Sequence, residues 1–259
     1  MSLNWPSYVD TTAPVEHDRL TLLQEVFDPR TARLLDQAGV GPGWDCLEVG
    51  AGAGSVARML AERAGPAHVT ATDMSIDFLT PLADLGVRVL RHDVTRDEAP
   101  GRFDLIHTRL VLEHVTERDI ALRRLASWLK PGGVLLVECA TPVPEVTGDP
   151  AVARTLAAMA AVLGRTVGTD SGWARTMPLP LERAGLVDCT AEGLAVAVRG
   201  GSPMARWLAE TCRLTQDTAV AEGLASTAEY EAAYAAYADP AYVDYSWLSV
   251  AAVGRSARV

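Results

Sequence analysis

The residues of this chain best spaced for chemistry lie between Asp45 and Ser55, where DCLEVGAGAGS runs from a short apolar segment through Glu48 into a turn carrying Gly50, Gly52 and Gly54. Glycine reaches backbone angles closed to other residues, and with no side chain it lets a ligand lie against the main chain. The turn opens into SVARMLAERAG, a helical pattern, and the free N–H groups of a helix start attract a negative or electron-rich group. A nucleotide-like ligand is therefore expected. Two more acids sit at comparable places, Asp73 closing HVTATD and Asp93 closing VRVLRHD. Ligands of open α/β sheets bind at the carboxyl ends of the strands, so Glu48, Asp73 and Asp93 are expected to converge on one crevice. Asp73 would accept from two ribose hydroxyls, and Asp93 from an exocyclic amine such as that of adenine. Helix capping is the competing role for any one of them, and a poor explanation for all three. Read from Gly52, GAGSVA also matches the dinucleotide pattern G-x-G-x-x-A, so the glycines alone leave NAD open.

The elements that must position these residues are legible in the pattern. Short β-like runs alternate with helical runs from residue 44 to Ala140: CLEVG, HVTATD, VRVLRHD, FDLIHTR and VLLVECA, the signature of a parallel sheet covered by helices. Before the fifth run, ERDIALRRLASWL puts Ala121, Leu122, Leu125, Trp128 and Leu129 on one face, with a Thr116/Asp119 capping box before it and KPGG as its stop. Ser75 is placed to cap SIDFLTPLADLG, and Pro81 either restarts or kinks that helix. Residues 1 to 43 contain HDRLTLLQEVF, then Pro29, then a second amphipathic piece, RTARLLDQAG. Residues 141 to 185 read as loop and helix. LVDCTAEGLAVAV and YSWLSVAAVG return to strand patterns around helices begun by Ser202-Pro203 and by Thr227.

The 259 residues are at the upper end for one α/β domain, and the net charge of −10 offers no footprint for a phosphate backbone or an anionic membrane. Nucleic acid and membrane are not expected as partners. No stretch approaches the roughly 18 apolar residues that span a bilayer, no leader pattern precedes the core, and a cytoplasmic location follows by default. Cys46, Cys139, Cys189 and Cys212 stand singly in apolar segments, which predicts buried thiols and neither a disulfide framework nor a metal site.

Taken from Glu48, the turn reads E-V-G-A-G-A-G, and LEVGAGAGSVA, TATDMS, RHDV, FDLIHTRLVLEHV and LKPGGVLLVE follow one another in the order and spacing of a known family. Over residues 44 to 140 the chain resembles the class I, Rossmann-like methyltransferases that use S-adenosylmethionine. The resemblance implies a seven-stranded, mostly parallel sheet in the order 3-2-1-4-5-7-6 with helices on both faces. It further implies a helical lid from residues 1 to 43, the cofactor core over 44 to 140, and acceptor-side insertions with the last strands over 141 to 259. Glu48, Gly50 and Gly52 would hold the methionine portion, Asp73 the ribose, Met74 one face of the adenine, and Asp93 with the Val94 N–H its edge. Thr108 and Arg109 would end the fourth strand beside the sulfonium, and Tyr8 and Arg19 would reach the cofactor from the N-terminal segment.

Methyl transfer from a sulfonium needs alignment, exclusion of water and, for a hydroxyl or carbon acid, removal of a proton. Following the resemblance, LVLEH puts Glu113 and His114 near the methyl group, and His114, with an ordinary pKa nearest neutrality, is the expected base. His107, inside a strand, reads as structural. The fourth strand lacks the asparagine-proline-proline-aromatic motif of nucleobase and amide N-methylation, and no acidic metal triad of the catechol type is visible. Trp5, Met159, Trp173, Met177, Met204, Trp207, Tyr230, Tyr234 and Tyr237 supply an apolar, aromatic lining to the acceptor-side stretches. The resulting expectation is methyl transfer to oxygen or carbon of a small, apolar or aromatic molecule, of secondary-metabolic type, by a monomer or homodimer. A family member doing cyclisation or another non-methyl reaction, an NAD-dependent oxidoreductase and a non-catalytic binding module are the alternatives.

Overall fold

The alternation of short apolar strands with helices builds one twisted sheet, because the central strands are buried on both faces and helices must cover them. The structure, a computed structural model, describes residues 14–258; Trp5 and Tyr8 lie outside the described residues. Strands β1 (Cys46–Val49), β2 (Val69–Asp73), β3 (Arg88–Arg91), β4 (Phe103–Arg109) and β5 (Leu129–Pro142) pair in parallel. Strand β9 (Trp247–Arg255) runs antiparallel between β5 and β6 (Val187–Ala195). The sheet order is β3-β2-β1-β4-β5-β9-β6, and a two-stranded ribbon, β7 (Val198–Arg199) with β8 (Val243–Asp244), stands apart from it. With the ribbon set aside, β9 is the seventh strand and the order is the expected 3-2-1-4-5-7-6.

Helix α2 (Ser55–Ala64) buries Val56, Ala57, Leu60, Ala61 and Ala64, spaced three and four apart, on one face of the sheet. Helix α4 (Arg118–Trp128) does the same on the other face with Ala121, Leu122, Leu125 and Trp128. A third apolar cluster joins α1 (Pro14–Ala38), α5 (Pro150–Thr166), α7 (Pro203–Ala221) and α8 (Thr227–Ala238) in a helical layer, while the short α6 (Leu179–Arg183) packs Leu181 into the second cluster. Ser202 caps α7 by accepting from the Ala205 N–H, and Ser226 with Glu229 forms a capping box on α8.

Several local expectations are corrected. Pro29 lies inside one continuous α1 instead of dividing it. A proline there costs about 3 kcal/mol, but Phe27, Arg30, Thr31, Leu34 and Leu35 on both sides of it are buried, and that packing holds the helix together. Ser75 caps no helix; the chain stays irregular until α3 (Thr80–Asp84), where Pro81 occupies the first turn, so the restart reading is the one adopted. Helix α4 has Glu117 as its N-cap with no side-chain cap bond, so Thr116 and Asp119 form no box. At the other end Leu129 is already extended, and Lys130 to Gly133 belong to β5.

Candidate cofactor and acceptor site

The parallel pairing brings every carboxyl end of β1 to β5, and the amino end of antiparallel β9, to one edge of the sheet. A cavity of about 830 Å³ opens there, within the roughly 300 to 1,000 Å³ of small-molecule sites. Of the residues expected to form the site, Arg19, Glu48, Gly50, Gly52, Asp73, Met74, Asp93, Val94, Arg109, Glu113 and His114 all line it. Thr108 does not; its hydroxyl is buried in β4 without a partner.

The three glycines divide into two roles. All have positive φ, at 73°, 54° and 87°. A Cβ on Gly50 would lie 2.1 Å from Val111 Cγ2 and one on Gly54 2.7 Å from Leu82 Cδ1, whereas over Gly52 the nearest atom is Leu20 Cδ2 at 3.7 Å. At Gly50 and Gly54 the missing side chain makes room for Val111 and for Leu82, whereas the Cβ side of Gly52 is open. Gly50 and Gly52 both line the cavity, and Gly54 does not.

The acids also separate. Asp73 Oδ2 accepts from the Gly52 N–H at 2.8 Å and Oδ1 from the Ser75 N–H at 3.1 Å, tying the end of β2 to the open glycine. Burial pushes its carboxyl up, against the pull of those N–H groups. Asp93 Oδ1 caps its own turn, accepting from the Thr95 N–H and hydroxyl at 2.9 and 2.6 Å, while Oδ2 lies 3.7 Å from Arg96. Glu48 is almost wholly occupied inside the protein. His107 Nδ1 is 2.6 Å from Glu48 Oε2 and its Nε2 3.0 Å from Glu138 Oε1. Burial pulls the imidazole down, but Glu48 and Glu138 outweigh it and raise it to about 9, so a buried imidazolium joins the two acids. Thr31 of α1 donates to the same Glu138 oxygen at 2.6 Å. Arg109 reaches Thr31 at 2.7 Å and Asp28 at 2.9 Å, fastening α1 over the ends of β4 and β5.

Past β4 the chain makes a sharp change of direction at Leu110, a non-glycine residue with φ 54°, a conformation that costs on the order of 1–3 kcal/mol and collects at functional sites. The following 3₁₀ turn, Leu112–His114, points two unlike side chains at the cavity. Burial pushes the Glu113 carboxyl up to about 7, against the Ala140 N–H that hydrogen-bonds it, and its Oε2 is buried without a hydrogen-bond partner. His114 Nδ1 lies 2.9 Å from the Thr169 hydroxyl. Burial first, then Arg19 and Arg118, push its imidazole down to about 3. The structure thus departs from a histidine held near neutrality: burial and the two arginines hold the His114 imidazole down, while burial holds the Glu113 carboxyl up.

Helices close the cavity from above. Helix α1 contributes Glu16, Arg19, Leu20, Leu23 and Gln24, with Arg19 bound to both Glu16 oxygens at 2.7 Å. Of the aromatic and methionine residues proposed for the acceptor side, Met159 and Trp207 reach the wall, whereas Trp173, Met177, Met204, Tyr230, Tyr234 and Tyr237 pack within the cores. Sequence reasoning missed Phe78, Leu163, Val167, Thr211 and Trp247, which also line it. Trp247 was readable only as part of a strand; its position follows from pairing with Pro142 at the end of β5.

Residues 47–135 match the family model described as a methyltransferase domain. The chain is similar to the biotin biosynthesis bifunctional protein BioCD of Bordetella avium, 37% identical over 95 residues, covering 35% of this chain and 20% of that protein. It is similar to the ubiquinone/menaquinone biosynthesis C-methyltransferase UbiE of Bordetella parapertussis, 36% identical over 111 residues, covering 40% and 43%. The match thus spans less than half the length of either relative. In fold it resembles phosphoethanolamine N-methyltransferase 2 of Haemonchus contortus, solved with S-adenosylhomocysteine, with a TM-score of 0.63 at 17% identity over 98% of this chain and 60% of that one. Residues 47–135 thus match a methyltransferase domain, and the sheet in the order 3-2-1-4-5-7-6 with the glycine turn at its carboxyl edge has the fold of the S-adenosylmethionine-dependent methyltransferases it resembles.

Proposed function

We propose that the protein transfers the methyl group of S-adenosylmethionine to an oxygen or carbon of a small, apolar or aromatic molecule, a reaction of secondary-metabolic type. The carrying observation is one cavity that joins the open Gly52 turn and Asp73 at one end to an apolar, helix-roofed wall at the other. The chain's residues suit an adenosyl group. Asp73 keeps lone pairs for ribose hydroxyls, Met74 and Phe78 offer apolar surface beside it, Asp93 and Val94 offer the edge contacts, and Gly52 leaves the backbone bare. Glu48, Gly50 and Arg109 line the floor beneath it, and Arg19 of α1 lies over the approach. Bound there, S-adenosylmethionine supplies a methyl group already activated as an electrophile. The protein's tasks are then to hold the acceptor in line, keep water out with α1, α5 and α7, and handle one proton through Glu113 or His114. Residues 1 to 43 act in this reading as lid, 44 to 140 as cofactor core and 141 to 259 as acceptor side.

Titration calorimetry of the purified protein with S-adenosylhomocysteine, S-adenosylmethionine and NAD tests the proposal. Binding of the adenosyl compounds and not of NAD is expected. Tight NAD binding with no response to the adenosyl compounds would overturn it.

A further inference from the structure

Three neighbouring strands, β1, β4 and β5, put one ionic row across the carboxyl end of the sheet. Glu48 and His107 are direct cross-strand partners, so their side chains share a face. Glu138 pairs with Arg109, which stands two residues past His107 and on that same face. Two residues back along each strand the face is apolar: Cys46, Leu105 and Leu136 are wholly buried in one cluster with Leu34 and Leu35 of α1. The change comes at the cavity, which Glu48 and Arg109 line while His107 is sealed behind them at 0% exposure. Buried ions are costly to desolvate, and well-packed apolar residues of similar volume are often as stable, so core filling does not account for the row. Its charges also do not balance. Glu48, Glu138 and Asp28 are set against the His107 imidazolium and the Arg109 guanidinium. Glu48 is the acid with an oxygen to spare: Oε2 is engaged by His107 Nδ1, and Oε1 takes no hydrogen bond among the described residues and keeps contact with the cavity that Glu48 lines.

We propose that His107 is a positioning residue for the cofactor: held between Glu48 and Glu138, it keeps Glu48 turned to the cavity as the carboxylate that meets the ammonium group of the methionine portion. This rests on the methyl-transfer reading and deepens it. Glu48 by itself is poorly suited to the task. Burial pushes its carboxyl up, toward the neutral acid, and His107 foremost, then Arg109, pull against that. The imidazolium donates one N–H to Glu48 and the other to Glu138, which fixes the ring and, through it, the carboxylate. The groups around His107 are Glu48 from β1, Glu138 from β5, Arg109 along its own strand, and Thr31 of α1, whose hydroxyl donates to the Glu138 oxygen that His107 also holds. An ammonium group at Glu48 Oε1 supplies the positive charge that the row lacks. Because Thr31 and Asp28 belong to α1, the same row ties the helix over the site to the carboxylate beneath the ligand.

The test compares S-adenosylhomocysteine with its 2-oxo acid analogue, which lacks only the ammonium group, and with 5′-methylthioadenosine, which lacks the whole amino-acid end. Calorimetry near pH 7.5 should show wild type binding S-adenosylhomocysteine about ten-fold tighter than the 2-oxo acid. Glu48→Gln and His107→Gln should each bring the two within about two-fold, with 5′-methylthioadenosine held within a few-fold of wild type. The double variant should lose no more than either single one, because His107 acts through Glu48. Equal weakening of all three probes by His107→Gln, an unchanged preference for the ammonium group, or an effect that adds to that of Glu48→Gln would overturn the inference. Wild-type protein gives a second reading that stands even if His107→Gln does not fold. In nitrogen NMR the imidazole whose signals move in Glu48→Gln should have both nitrogens protonated near pH 7.5, and should respond to S-adenosylhomocysteine and not to 5′-methylthioadenosine. A neutral ring, or one that responds to both probes alike, would also overturn it. Failure to bind either S-adenosylhomocysteine or 5′-methylthioadenosine would instead bring down the methyl-transfer reading beneath it.

Discussion

Asp73 and Gly50 show how unlike two neighbouring site residues are in what they do. Asp73 holds the Gly52 N–H through Oδ2 and the Ser75 N–H through Oδ1, and has lone pairs left for a ligand. Asp73→Ala should weaken S-adenosylhomocysteine binding by roughly 1.5–3 kcal/mol, the range for hydrogen bonds to a charged group, and unchanged affinity in calorimetry would remove it from the site. Gly50 works by absence. A methyl group there meets Val111 at 2.1 Å on a backbone with φ 73°, so Gly50→Ala should lower stability by about 2–4 kcal/mol through overlap and left-handed strain. Adding Val111→Ala should restore the overlap part in thermal denaturation; no recovery would place the whole cost in the backbone. For His114, already neutral at working pH, His114→Ala should leave the acid limb of the rate–pH profile in place and S-adenosylhomocysteine affinity within a few-fold. Loss of the limb in that variant would return the base role to it.

At the scale of elements, the cavity roof and its floor differ in how they are held. The floor is a sheet paired on both sides, whereas α1 is fastened at the site edge by Arg109 to Thr31 and Asp28 and by Ser55 to Asp28. Segments that cover a site are drawn from the less stable parts of a fold. Hydrogen exchange should therefore show residues 1 to 30 and 141 to 185 gaining protection when S-adenosylhomocysteine is bound. Equal protection in both states would mean a preformed pocket that needs no closure.

For the whole molecule, the buried Glu48–His107–Glu138 cluster couples stability to pH. His107 is raised to about 9 from an ordinary 6.5, so its contribution is full below pH 6.5 and lost as pH rises through 9. Stability read from thermal unfolding should accordingly fall between pH 6.5 and 9.5, by up to about 3 kcal/mol. His107→Gln should cost about 3–5 kcal/mol at pH 7 by leaving two buried acids without their cation, and should flatten that slope. A variant as stable as wild type, with the slope intact, would show that the cluster carries neither.

The sequence by itself determined the sheet, its strand order and the list of residues at its carboxyl edge. The strands, the glycine turn and the acids at strand ends follow from local pattern set by spacing along the chain, while the strand order and the other edge residues follow from the family resemblance of the motifs. It also determined the cap at Ser202, since a capping bond is made within three residues, whereas the box of Ser226 with Glu229 went unread. Tertiary structure decided the rest. Whether Pro29 breaks a helix depends on what both halves of that helix bury. The Cβ side of Gly50 is filled by Val111 while that of Gly52 is open, because residues far along the chain fill one space and leave the other. His114 falls to about 3 and Glu113 rises to about 7, since burial, with Arg19 and Arg118 beside the imidazole, moves each group away from the value its residue type suggests. Trp247 reaches the acceptor wall through its register with Pro142, a pairing across more than a hundred residues that no local pattern contains.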